Sequence, residues 1–288
     1  MNRYLLLLIL CLCASSARAQ YVTNLTLSKD QYLTGEPVVA TVTIINRSGA
    51  DVILGGHGAR DWLHFEITQS TGRVLSPITI GSESPIRLQA GGTTAHTVEL
   101  SGGYATSDLG TFHLVANVLH PLTGQFYASN RERMTITDAK PNMFDQPYGV
   151  PEGYQNAGRS RRYQVILFRE LDILQLYCRI ADERSGAYLA TFLLGPVNMA
   201  VQPQISIDTK NKLHIFFLAK PQICCHAIIN PDGKLHKRSY YRDTQGNRPS
   251  LVMTRDGAQV VGGEYFDPAA PPAKSKALRK ASERPPGL

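Results

Sequence analysis

The chain is 288 residues long, 43% hydrophobic and 18% charged, with a formal net charge of +7 and a pI near 9.2. Two of those seven charges come from Arg3 and Arg18 and four from the residues after 268, so the body between them stands at +1 and implies no basic groove for specific nucleic-acid binding. The length suits two domains of the usual ~100–200 residues each.

Residues 1–19 carry a basic Arg3, an apolar run from Tyr4 to Cys13 and the small-x-small pattern Ala17-Arg18-Ala19. This is the make-up of a secretory signal peptide, with cleavage expected near Ala19-Gln20. The apolar run falls well short of the ~20 residues that a membrane span needs, so no transmembrane anchor is expected. Cys11 and Cys13 each follow a leucine, not the small residue a lipoprotein signal would want, and are expected to leave with the signal.

From residue 20 to 139 short β-rich runs alternate with Gly, Asn, Ser and Pro clusters, the pattern of a β-sandwich. Strands are predicted at 21–27, 38–45, 51–54, 62–68, 93–100, 111–119, 126–129 and 133–137. The runs VVATVTII and TFHLVANVL are the strongest, being rich in branched residues that fit a pleated, half-buried surface. Trp62 is expected in the core, with a sugar-stacking platform as the alternative. Asn24-Leu25-Thr26 and Asn46-Arg47-Ser48 match the acceptor pattern for N-glycosylation, which has meaning only in a eukaryotic secretory pathway. The succession LTGEPVVATVTIINRSG, WLHFEITQSTGRVL, IRLQAGGTTAHTVEL and LGTFHLVANV resembles extracytoplasmic bacterial Ig-like domains, including macroglobulin-type modules and proteinase inhibitors of the BsuPI type. In such domains the Gly35-Glu36-Pro37 turn leads into a central strand, and Asn46 with Gly49 opens the next turn. The resemblance implies an Ig-like sandwich, a bacterial origin and a periplasmic or extracellular location. It also raises proteinase inhibition by analogy of fold alone.

Residues 140–162 mix Pro, Gly, Asn and Arg without periodicity and read as a linker. Strand-like runs return over 163–267, at 163–169, 173–181, 187–194, 204–208, 213–218, 223–229, 235–241, 250–254 and 259–265. Laid on itself, this segment shows a period. Cys178 falls on Cys225 and Gly186 on Gly233, while Pro203 falls on Pro249 and Asn211 on Gly257. A four-strand repeat of this length resembles a β-propeller blade, and about two units are present where closure needs roughly 4–8. Self-association through open sheet edges is therefore a candidate. The fold class expected is all-β: an N-terminal Ig-like sandwich followed by a C-terminal antiparallel β-meander of blade-like repeats.

Cys224 and Cys225 fall mid-strand, so their side chains point to opposite faces and cannot converge on one ion. Three buried structural thiols are the first expectation. A disulfide joining Cys178 to Cys225, or to Cys224, is the alternative, favoured by an exported location. A metal site would want further ligands at suitable spacing, and none appears. His214 and His236 sit early in strands and are expected to be structural or solvent-facing. Ser206-Ile207-Asp208 is faintly similar to the Asp-box of sialidase-like propellers but lacks the rest of that pattern, and reads as a turn device.

The tail from 268 to 288 is rich in Pro, Ala and Ser and reads as disordered. Lys274, Lys276, Arg279, Lys280 and Arg284 would make it a salt-sensitive anion-binding arm, the alternative to a merely solvated terminus. No nucleophile motif, zinc-protease motif, phosphate loop or EF-hand occurs, and a paired-acid role for Asp61 and Glu66 is disfavoured on surface strands. Triads assembled from distant positions leave no linear motif, so catalysis stays open. No cofactor is implied. The function expected is an exported, non-enzymatic binding or structural protein that presents β-sheet surfaces to a protein or glycan. The alternatives are a glycan-acting hydrolase with its site on the repeat domain, and a proteinase inhibitor.

Overall fold

Strands form where branched and aromatic side chains alternate with polar ones, and the computed structural model shows an all-β chain on that basis. It describes residues 20–55, 62–77, 85–104, 108–244, 246–255 and 257–268, so the leader and the basic tail lie outside the described residues. Among them no helix is long and apolar enough to cross a membrane. The chain divides into two units. The first takes the residues up to Asn142 together with Cys178–Ala181 and Gly186–Phe192; the second takes Met143–Tyr177, Asp182–Ser185 and the residues from Leu193 onward.

Unit 1 contains β1 (Tyr21–Leu27), β2 (Gln31–Leu33), β3 (Val39–Asn46), β4 (Val52–Leu54), β5 (Leu63–Gln69), β6 (Val74–Leu75), β7 (Ile86–Leu88), β8 (Thr93–Glu99), β9 (Gly110–Leu119), β10 (Phe126–Ala128) and β11 (Glu132–Thr137). One sheet runs β1-β3-β8 and the other β2-β11-β9-β5-β6, with β10 added to β9 and a small β4-β7 ladder beside them. This is the Ig-like sandwich. Its core is the sum of two alternations: Ala40, Val42 and Ile44 point inward from β3, and Phe112, Leu114, Ala116 and Val118 point inward from β9, all fully buried. β2, β6 and β7 are two or three residues long and carry too little pattern to be predicted from sequence.

The Gly35-Glu36-Pro37 turn does lead into β3. The Glu36 carboxylate accepts the Leu33 amide at 3.0 Å and pairs with Lys29 Nζ. Asn46, at the end of β3, is fully buried. Its Nδ2 donates to the carbonyls of Ala50, Leu88 and Gln89, and its Oδ1 accepts from Ser48. An amide nitrogen so engaged cannot accept a glycan, whereas Asn24 is exposed on β1.

Unit 1 also holds a buried arginine that nothing in the sequence singled out. Arg179 is 0% exposed. Its Nε donates to Thr191 Oγ1 at 3.2 Å and its two terminal nitrogens to the carbonyls of Ala139 (3.0 Å) and Thr34 (3.5 Å). The guanidinium also pairs with Asp138 at 2.9 Å and lies 3.9 Å from the Tyr188 ring centroid. Gly35 belongs to the same knot, with φ +80° and space so tight that a Cβ would lie 3.0 Å from Thr191 Oγ1.

The remaining strands are β12 (Phe144–Gly149), β13 (Ser160–Glu170), β14 (Ile173–Asp182), β15 (Tyr188–Pro196), β16 (Gln204–Ile207), β17 (Leu213–Lys220), β18 (Ile223–Ile229), β19 (Leu235–Arg242), β20 (Ser250–Thr254), β21 (Gly257–Val261) and β22 (Glu264–Phe266); they belong to the second unit except for Cys178–Ala181 of β14 and the part of β15 up to Phe192, which belong to the first. The sheets run β12-β13-β14-β15 and β16-β17-β18-β19-β22, with β20-β21 as a separate hairpin. These are the blade-like repeats. Cys178 and Cys225 both lie on the third strand of a sheet, and Pro203 and Pro249 each precede a first strand.

Two expectations need correction here. Residues 140–162, expected as a linker, contain β12, which pairs antiparallel with β13 and supplies the first strand of its sheet. Pro147 and Asp145 hide it from a propensity reading, and contacts distant in sequence hold it in place. The Tyr148 and Tyr163 rings stack at 3.7 Å; their hydroxyls donate to Pro231 O and Asn211 O, and Asn211 Nδ2 donates back to Gly149 O. The run 259–265, expected as one strand, breaks into β21 and β22 at Gly262 and Gly263, whose φ angles are +79° and +68°.

Candidate functional site

β17 and β18 are buried on both faces, which is why they read as near-continuous apolar runs. The register sets His214 opposite Ile228, Phe216 opposite His226 and Leu218 opposite Cys224. Because alternate side chains share a face, His214, Phe216, Leu218, Cys224 and His226 form one patch of the sheet. That patch contains the strongest polar feature of unit 2.

Asp208 follows β16 and turns the chain toward β17. Its Oδ1 accepts the amides of Lys210 (2.9 Å) and Lys212 (2.8 Å), so it is the turn device expected from the sequence. Its Oδ2 lies 3.2 Å from His214 Nε2, and His214 Nδ1 lies 3.1 Å from His226 Nε2. A carboxylate only accepts, so His214 Nε2 carries the proton. Its Nδ1 shares the second hydrogen bond of the chain with His226 Nε2. Burial, then the neighbouring His214 and Lys237, lowers the His226 pKa to about 4, so this imidazole is neutral at physiological pH. His236, by contrast, faces solvent on β19.

Beside this chain opens a groove of about 350 Å³ lined by Val201, Gln202, Gln204, Phe216, Phe217, Leu218, Cys224, Arg248, Pro249 and Ser250. Gln204 closes one wall by accepting the Leu251 amide at 3.0 Å. The lining is mainly apolar, and Arg248 is its one charged group. The Arg248 side chain is exposed and has no hydrogen-bond or ion-pair partner among the described residues. Phe216 joins the groove to the histidines, its ring meeting that of His226 edge-on at 6.4 Å.

All three cysteines of the described residues are buried and free in the structure. Cys224 and Cys225 face different partners, Leu218 and Tyr241 for one and Phe217 and Tyr240 for the other, as alternation requires. Burial raises every one of these thiols, Cys225 to about 12. None is a thiolate at neutral pH, so none is an activated nucleophile. We expect a chain lacking residues 1–19 to show three thiols that react with a disulfide reagent in denaturant and almost none in native buffer; two unreactive thiols in denaturant would show the disulfide joining Cys178 to Cys225 or Cys224.

The other expected site residues are dispersed. Trp62 is 5% exposed within the sandwich core, its ring edge-on to His96. A small apolar hollow of about 290 Å³ adjoins it, lined by Ile53, Leu54, Gly55, Leu119, Pro121 and Gly124. Glu66 is exposed on β5, while Asp61 lies outside the described residues, as do Lys274, Lys276, Arg279, Lys280 and Arg284. The sequence reading missed the Asp208–His214–His226 chain and Arg248. The signal for the first was present but hidden: two histidines at even offsets from a strand turn, visible once the pairing register is known.

No protein-family model matches the chain, and no curated protein matches it. Among solved structures it is similar to Spo0M, a sporulation control protein from Bacillus subtilis, at 10% identity over 78% of this chain and 91% of that one. The TM-score of that pair is 0.29, a likeness too low to carry an argument.

Proposed function

We propose that this is an exported, non-enzymatic binding protein that receives an acidic segment with apolar flanks from a partner protein, in the groove beside β16, β17 and β20. The export half of the reading rests on the leader-like residues 1–19. The binding half is carried by one observation: an arginine without a counter-charge among the described residues, Arg248, in an otherwise mainly apolar groove. A guanidinium offers a carboxylate two parallel donors, and the apolar lining rewards burial of the flanking side chains. A protein fits better than a glycan. Sugars want exposed aromatic faces, whereas the two aromatic residues that line this groove, Phe216 and Phe217, are buried.

Peptides selected from a displayed library on the mature protein should share a carboxylate next to an apolar residue. Arg248→Glu should weaken them at least about tenfold, the loss of one charge-assisted contact. Enrichment of peptides without an acid, or indifference to Arg248→Glu, would sink the reading.

The Asp208–His214–His226 chain favours a second reading, a hydrolase that uses His226 as base. Against it stand the burial of the hydroxyl across the ladder, Ser239, and the neutrality of the Cys224 thiol. Turnover of a glycan or peptide substrate that His226→Gln abolishes would reverse this ranking.

A further inference from the structure

We infer that β21 is a self-association edge: two copies of the chain pair β21 against β21 about a two-fold axis, building a four-stranded antiparallel sheet in the order β20-β21-β21-β20. The two sheets before it contain four and five strands, whereas β20-β21 contains two. The next strand in sequence does not complete it. Gly262 and Gly263 turn the chain away, at a place where a Cβ would lie 2.7 Å from Arg248 O and 2.8 Å from Pro249 Cβ, and β22 pairs with β19 instead.

The register shows which backbone groups are left over. The ladder closes on the Thr254–Gly257 pair across a two-residue turn, which must be a hydrogen-bonded pair. Alternation then aims the peptide groups of Gln259 and Val261 at β20 and those of Ala258 and Val260 away from it. Among the described residues, Ala258 and Val260 have no backbone partner on that outer side.

A second copy fits this edge in charge and in shape. Antiparallel pairing centred on Gln259 sets Ala258 of each copy against Val260 of the other and satisfies all four outward groups with four hydrogen bonds. It also sets Val261, 55% exposed, opposite Gly257 of the other copy, which brings no side chain of its own and lies against Asp208. Residues 257–261 hold no charge and no proline, so nothing repels across the axis. Exposed edges are normally guarded by such residues, as β12 is by Asp145 and Pro147. The contact is isologous, so it closes at two copies and does not propagate.

The full mature chain is expected to sediment as a concentration-dependent dimer. Val260→Pro removes one outward N–H without touching the β20 ladder, and should give a monomer with unchanged circular dichroism and melting temperature. A cysteine scan tests the register independently of that variant. Gln259 meets itself at a non-hydrogen-bonded site with Cα atoms about 4.5 Å apart, inside the span a disulfide accepts, whereas Val261 residues of the two copies are more than about 13 Å apart. Gln259→Cys should therefore oxidise to a covalent dimer and Val261→Cys should not. A chain that stays monomeric at its highest soluble concentration, a dimer that survives Val260→Pro, or equal cross-linking at both positions would each overturn the inference. Peptide binding at Arg248 is read separately and does not enter this result.

Discussion

Arg179→Ala is expected to cost about 3 kcal/mol of stability, among the largest effects of any single side chain here. The replacement takes the donor from the Ala139 carbonyl and opens a void beside Thr34 and Thr191, whose own hydrogen bond, from Thr191 Oγ1 to Thr34 O at 2.8 Å, remains. Asp138 is partly hydrated and can turn to water, so the cost comes mainly from the void, from the lost stack on Tyr188 and from the Ala139 carbonyl left without its donor. In a chain of this size, about 3 kcal/mol lowers the melting temperature by roughly 6–12 °C. Arg179→Lys keeps the charge but loses the planar fork, and should recover only part of that loss. Tyr188→Phe keeps the ring and should cost about 0.5–1 kcal/mol. If Arg179→Ala melted within a degree or two of the parent, the knot would be dispensable and its burial incidental.

The second large effect is on the pH dependence of stability. His226 has a folded pKa of about 4 against an ordinary value of 6.5. Between these values the unfolded chain takes up a proton that the folded chain refuses, so unfolding is favoured as pH falls through this window. Above pH 6.5 both states hold a neutral ring and the contribution is flat. Over the whole window the loss is roughly 3 kcal/mol, at about 1.4 kcal/mol per pH unit. Urea unfolding between pH 7 and pH 4 measures it. His226→Gln keeps a hydrogen-bonding end for His214 Nδ1 but has no proton to gain, so its stability should decline with falling pH by about one proton less than the parent's. Parallel pH profiles for parent and variant would show that the ring already titrates normally in the folded state.

The sequence carries these two features to different degrees. Arg179 lies in an ordinary-looking β14 sequence, LYCRIAD, in which a charged residue reads as solvent-facing. Its burial depends on Thr34, Asp138, Ala139 and Thr191, up to 145 positions away. The histidine chain was closer to the surface of the sequence. Its three residues are 6 and 12 positions apart, and each was placed on the correct strand or turn. What was missing was register: a slip of one residue between β17 and β18 would have sent His226 to the opposite face. Arg248 and the groove required knowing that β16, β17 and β20 come together, which no linear spacing announces.

What was legible along the chain is what short-range energetics controls. Apolar alternation, turn residues and the repeated cysteine spacing yielded an Ig-like sandwich, a run of blade-like repeats and cysteines alternating between faces, because those choices are made within a few residues of each other. Partner identity is a long-range matter. β12 forms despite its proline because Tyr148 and Gly149 bond to two turns far along the chain, and β22 leaves β21 because two glycines permit the bend and β19 offers it a ladder. Such contacts gain their energy only after loop closure has been met, so folding in three dimensions selects them and the linear pattern does not.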